Sequence, residues 1–116
     1  MPIDLIAPTH TPFDEAGDLD LRSIEPLAAH LARTGVWGVF ICGSTGEGMS
    51  MTVEERKATA EAWADVAPEH DLEVIVQVGA NSQRDAMELA SHATNLKVRS
   101  ISGHAPCYFL PKSVDD

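Results

Sequence analysis

Val36-Trp37-Gly38-Val39-Phe40-Ile41-Cys42 is apolar at every position and runs directly into Gly43-Ser44-Thr45-Gly46-Glu47-Gly48. A strand with one wet face alternates apolar and polar residues, so an unbroken apolar run predicts a strand of a parallel sheet covered on both faces. The glycine-rich stretch reads as a strand-to-helix loop built to hold an anion. Its three glycines are expected to carry the backbone through positive φ and to admit a ligand without Cβ clashes. Ser44 and Thr45 lie between the first two, and a carboxylate or phosphate requires several N–H and O–H donors converging on it.

Working outward, the pattern repeats. Upstream, Ile3 to Ala7 predicts a short buried strand, closed by Pro8, Pro12 and the polar residues between them. Ile24, Leu27, Ala28 and Leu31 then recur at helical spacing, with Asp20 or Ser23 as cap, Pro26 in the first turn and Gly35 as the stop. Downstream, Thr52-Val53-Glu54-Glu55 fits a capping box, and the helix that follows is expected to turn Ala58, Ala62, Trp63 and Val66 inward and to end before Pro68. Val74 to Val78 reads as another buried run. Ser82 resembles a cap, and Ala86, Leu89, Ala90 and Ala93 form a third helical stripe. A fourth strand is due next, yet residues 97–104 carry two cations, two serines, a glycine and a histidine, which makes a poor strand. The order is a chain of βα units on a parallel sheet, three complete and a fourth begun.

Composition narrows the partners. With 116 residues the chain suffices for one small domain, and 44% hydrophobic with 22% charged residues is the balance of a folding globular protein. A net charge of -10 repels nucleic acid and anionic membrane surfaces, so a small anion needs a local pocket. No apolar run reaches a membrane-spanning length and no leader pattern is visible, which makes the cytoplasm the expected location. Cys42 and Cys107 are read as reduced thiols. The five histidines form no pair or cluster with cysteine, so no metal site is expected, and solvation is the simpler role for His10 and His104. Trp37 and Trp63 are read as core. The nucleotide-binding patterns fail: no Lys-Ser/Thr follows the last glycine of the loop, and the glycine spacing is not that of a dinucleotide fingerprint.

Gly43-Ser44-Thr45-Gly46-Glu47 resembles the corresponding loop of the pyruvate-dependent class I aldolases, the family that includes N-acetylneuraminate lyase and dihydrodipicolinate synthase. Thr11-Pro12-Phe13, Glu55-Arg56, Val78-Gly79-Ala80 and Ala105-Pro106-Cys107-Tyr108 fall in the family's order and spacing. Gly48-Met49-Ser50 and Glu61-Ala62-Trp63 look more like the lyase branch. The resemblance implies the N-terminal half of a (β/α)₈ barrel, with residues 1–116 a truncated portion of one barrel domain of typically ~250 residues. It implies that Ser44 and Thr45 hold the carboxylate of pyruvate or of a 2-keto acid sugar, and that Gly43, Gly46 and Glu47 support the loop, Glu47 by accepting from backbone donors. Tyr108 matches a tyrosine that relays protons in the dihydrodipicolinate branch. The family's Schiff-base lysine lies on a later strand, and Lys57, Lys97 and Lys112 do not match it, so this chain alone is expected to be inactive. No cofactor is implied. A homo-oligomer is, a tetramer for the intact family member, while unpaired edges on the first and fourth strands would themselves invite association.

Overall fold

The computed structural model describes residues 3–116. Strands β1 (Ile6–Pro8), β2 (Gly38–Ile41), β3 (Glu73–Gln77) and β4 (Ser100–Ser102) form one parallel sheet in the order β1-β2-β3-β4. Helices α1 (Ile24–Arg33), α2 (Val53–Val66) and α3 (Gln83–Thr94) connect them. Each crossover leads to the next strand, and since such crossovers are right-handed, all three helices stack on one side of the sheet. That side is the core: Val39, Ile41, Val74 and Val76 pack with Ile24 and Ala28 of α1, Trp63 of α2, and Leu89 and Ala93 of α3.

The expectation of strands covered on both faces is corrected. In the register, Pro8, Phe40, Ile75 and Ser100 form a row on the opposite face, where Phe40 and Ile75 are only half-buried and Pro8 and Ser100 exposed. Among the described residues nothing layers over this face, which in a closed barrel is lined by the remaining strands. The first strand is likewise not buried: it begins at Ile6 rather than Ile3, and Leu5 and Ile6 are 57% and 43% exposed. Among the described residues it pairs only with β2, and nothing there covers its far edge.

The fourth strand forms despite its composition. Arg99 N–H donates to Val74 O and Val78 N–H to Ser102 O, each at 2.8 Å, and main-chain bonds are indifferent to side-chain polarity on a short edge strand. Arg99 also sets its guanidinium 5.7 Å from the centre of the Trp37 ring, a cation–π contact. Trp37 is half-buried rather than a core residue, unlike Trp63, which is fully buried.

The helix signals resolve in detail. Asp20, not Ser23, is the cap: its carboxylate accepts from Arg22 N–H and Ser23 Oγ, starting a 3₁₀ turn that continues into α1. Pro26 occupies the first turn of α1, and Gly35 stops the chain at φ 84°. Both halves of the capping box are made, Glu55 N–H to Thr52 Oγ1 at 3.1 Å and Thr52 N–H to Glu55 Oε2 at 2.8 Å. The Ser82 hydroxyl accepts from Asp85 N–H. The inward stripe of α2 is rotated from the expected one: Ala58, Ala62 and Val66 are half-buried, and Arg56, Thr59, Ala60 and Trp63 face the interior. An apolar-only pattern could not place a buried arginine and threonine.

Candidate functional site

The site grows from the carboxyl end of β2. Residues Cys42 and Glu47 take left-handed backbone, φ 57° and 58°, while none of the loop's glycines does. The expected role of the glycines is therefore corrected: they are required for close approach of the chain to itself. A Cβ on Gly46 would lie 2.9 Å from Thr9 O, one on Gly48 only 1.9 Å from Cys42 O, and one on Gly43 2.5 Å from the Phe40 ring. The loop folds back on its own start, with Gly48 N–H donating to Gly43 O at 3.0 Å and Glu47 N–H to Ser44 O at 3.1 Å.

The loop after β1 anchors it. Thr11 Oγ1 donates to Gly46 O at 2.6 Å in a buried position, and Thr9 N–H donates to Phe40 O at 3.1 Å. With its base fixed, the loop turns Ser44 and Thr45 outward. Both are exposed, and among the described residues neither their N–H groups nor their hydroxyls are engaged in hydrogen bonds. Four donors on consecutive residues are thus available to an anion, in a turn whose shape is set before a ligand arrives.

Other anticipated residues behave differently. Glu47 bonds within the loop only through its backbone, its N–H donating to Ser44 O and its carbonyl accepting from Ser50 N–H, while its carboxylate is exposed and accepts no hydrogen bond among the described residues. The buried side-chain hydrogen bond to the loop comes instead from Thr11. Tyr108 is 80% exposed beyond β4; its ring meets Phe109 edge-on at 4.8 Å, and its hydroxyl has no partner among the described residues. His10 and His104 are both exposed. His104 hydrogen-bonds Ala105 O through Nδ1, and its ring fills the space beside Gly79.

Arg56 was singled out by sequence only as part of a family match, and its position is the feature that reading missed. It is 4% exposed and reaches from α2 to the end of β3, where Nη1 donates to Gly79 O at 2.8 Å and Nη2 to Gln77 O at 2.6 Å. Gln77 Oε1 in turn accepts from Gly79 N–H at 2.6 Å, closing the strand end. Arg56 Nε has no partner among the described residues. The sequence does hold a trace of this, since Arg56 stands in helical step with Thr59, Ala60, Trp63 and Ala67, all buried.

Cys42 heads the loop and is a buried free thiol. Burial pushes its pKa up to about 11, a rise that the nearby Arg56 guanidinium only partly opposes. It is a neutral packing residue. Cys107, the other free thiol, is exposed and lies against Asn81, whose side-chain oxygen accepts from Cys107 N–H at 2.8 Å. A cavity of about 650 Å³ lies away from the loop, between the start of α3 and the tail that carries Phe109 and Leu110. Its walls mix apolar residues with Gln83, His104, Lys112, Ser113 and Asp116, and it includes neither Ser44 nor Thr45.

Comparison with known proteins sets this geometry in context. Residues 1–115 match the dihydrodipicolinate synthetase family. N-acetylneuraminate lyase A of Xenopus laevis is 39% identical over 112 residues, covering 96% of this chain and 37% of that protein. The structure of Proteus mirabilis N-acetylneuraminate lyase superposes with a TM-score of 0.91 at 43% identity, covering 97% of this chain and 38% of its own. Dihydrodipicolinate synthase from Aquifex aeolicus superposes with a TM-score of 0.86 at 28% identity, over 94% and 36% respectively. The chain spans a little over a third of the length of these relatives, and its fold matches the N-terminal part of their barrel.

Proposed function

Because the chain belongs to the dihydrodipicolinate synthetase family, we propose that it carries the 2-keto acid carboxylate-binding loop of an N-acetylneuraminate lyase-like aldolase. The whole protein's reaction, on this reading, is reversible cleavage of a 2-keto acid sugar to pyruvate and an N-acetylhexosamine through a lysine Schiff base. The observation that carries the reading is the exposed Ser44-Thr45 pair on a turn pre-shaped by Thr11 and by close glycine packing. Anchoring the carboxylate there fixes the position of the adjacent keto carbon, and holding a carbonyl in one pose before attack is a large part of what such a site contributes.

The amine that attacks is not supplied by this chain. Lys57 lies in α2 against Glu88 and Glu54, and its hydrogen bond to Glu88 raises its pKa, so it stays a cation and no nucleophile. Lys97 and Lys112 are exposed. Incubation of the 116-residue chain with pyruvate and borohydride is expected to leave its mass unchanged, and a stable adduct on any lysine overturns the proposed division of the site. Carboxylate binding is tested by titrating pyruvate and following the Ser44 and Thr45 amide resonances by NMR; shifts confined elsewhere sink the assignment. Dihydrodipicolinate synthase-type condensation of pyruvate uses the same carboxylate loop and is separated by turnover of the whole protein with each aldehyde.

The bare outer edges of β1 and β4, with Leu5, Ile6 and Ile101 exposed, favour a second reading of this chain by itself, a non-catalytic half-barrel that self-associates. Gel filtration with hydrogen exchange decides: a defined, slowly exchanging dimer supports it, and a rapidly exchanging monomer removes it.

A further inference from the structure

We propose that Arg56 is a positioning residue for the carboxylate loop, tying α2 to the end of β3 beside the loop's base, where it lines one cleft with Gly48, and giving an otherwise acidic chain a local preference for anions at Ser44 and Thr45. This rests on the reading of that loop given above and extends it to a residue that touches no substrate.

The guanidinium is almost wholly enclosed, and both of its hydrogen bonds go to neutral carbonyl groups, Gly79 O and Gln77 O. Arg56 takes part in none of the ion pairs among the described residues. A buried cation without a carboxylate partner is an expensive arrangement, and its field is weakly screened because little water surrounds it. It lies beside Cys42, whose thiol stays neutral and so cancels none of that charge. Cys42 is two residues from Ser44, on the chain that turns back under it through the Gly48 to Gly43 hydrogen bond. Asp85 of α3 is the acidic group that Arg56 feels, half-buried, with a carboxylate that accepts no hydrogen bond among the described residues. Against a net charge of -10, a fixed positive charge behind the loop gives the donors of Ser44 and Thr45 their sign selectivity.

The test compares pyruvate with its neutral amide, pyruvamide, on the 116-residue chain and its variants by NMR titration. Arg56→Met is expected to weaken pyruvate on the order of tenfold and pyruvamide by less than about twofold, with Arg56→Lys restoring most of the pyruvate affinity because it keeps the charge. Asp85→Asn, which disturbs no hydrogen bond of its side chain, is expected to strengthen pyruvate alone, and it carries the test should Arg56→Met fail to fold. Equal losses for the two ligands in Arg56→Met, or no change in pyruvate affinity in either Arg56→Met or Asp85→Asn, overturn the proposal while leaving the loop's role intact. A wild-type chain that responds to neither ligand overturns the carboxylate reading and this extension with it.

Discussion

Thr11 Oγ1 and the carbonyl of Gly46 are joined by a buried 2.6 Å hydrogen bond across 35 residues of sequence. It ties the loop after the first strand to the turn that presents Ser44 and Thr45. The donors of the candidate site thus owe their position to a residue on another strand.

Thr11→Val removes the hydroxyl while keeping the shape, and leaves the Gly46 carbonyl buried without that donor. The expected loss is about 1–3 kcal/mol of folding stability, read from urea unfolding. Thr11→Ser is expected to retain most of it, and a valine variant as stable as the parent excludes the bond as an anchor.

Glycine substitutions separate close packing from mere flexibility. Gly48→Ala sets a methyl against Cys42 O at a distance no Cβ tolerates, so the backbone must shift, at a cost of about 1–3 kcal/mol or more. Gly103→Ala meets nothing within 4 Å and is expected to stay within about 0.5 kcal/mol of the parent. Thermal melts of the pair give the contrast directly.

Thr52→Ala breaks the reciprocal cap of α2. The expected cost is about 1 kcal/mol, and since Arg56 leaves the same helix one turn later, amide shifts should extend to Gly79. Loss of stability without any change at Gly79 would show that fraying stops short of Arg56.

Cys42 predicts a pH dependence with a definite sign. Its folded pKa of about 11 lies above the ordinary value of 9.0, so above that ordinary value the unfolded chain has released a proton that the folded chain keeps. Stability contributed by the neutral thiol is complete below pH 9 and is lost as pH rises toward 11, by up to about 2–3 kcal/mol in all. Unfolding curves between pH 8 and 11 should show this slope, and Cys42→Ala should flatten it. At pH 8 a thiol reagent should titrate Cys107 alone in the folded protein and both cysteines in denaturant.

The order of elements was written in the chain. The runs at 36–42 and 74–78, stripes at helical spacing and the Thr52 and Ser82 caps depend on neighbours within a few residues, and local periodicity decides them. The same holds for the glycine loop between β2 and α2, whose place at a strand's carboxyl end made it the candidate for a ligand. What the chain did not spell out came from contacts between distant segments. Residues 97–104 look unfit for a strand until Val74 O and Val78 N–H are there to pair with them. Phe40 and Ile75 look buried by composition, yet lie on a face that no described residue covers. Glycine is permissive of positive φ, but Cys42 and Glu47 take that conformation, because the three glycines are needed where the loop touches Thr9, Phe40 and itself. Arg56 reads as a surface cation on a helix, and only the packing of α2 on β3 turns it inward. Sequence alone determined the succession of strands and helices and the exposed hydroxyl pair at the loop, since both follow from local chemistry. Tertiary structure decided what holds that pair in place, since Thr11 reaches the Gly46 carbonyl only when β1 and β2 have paired.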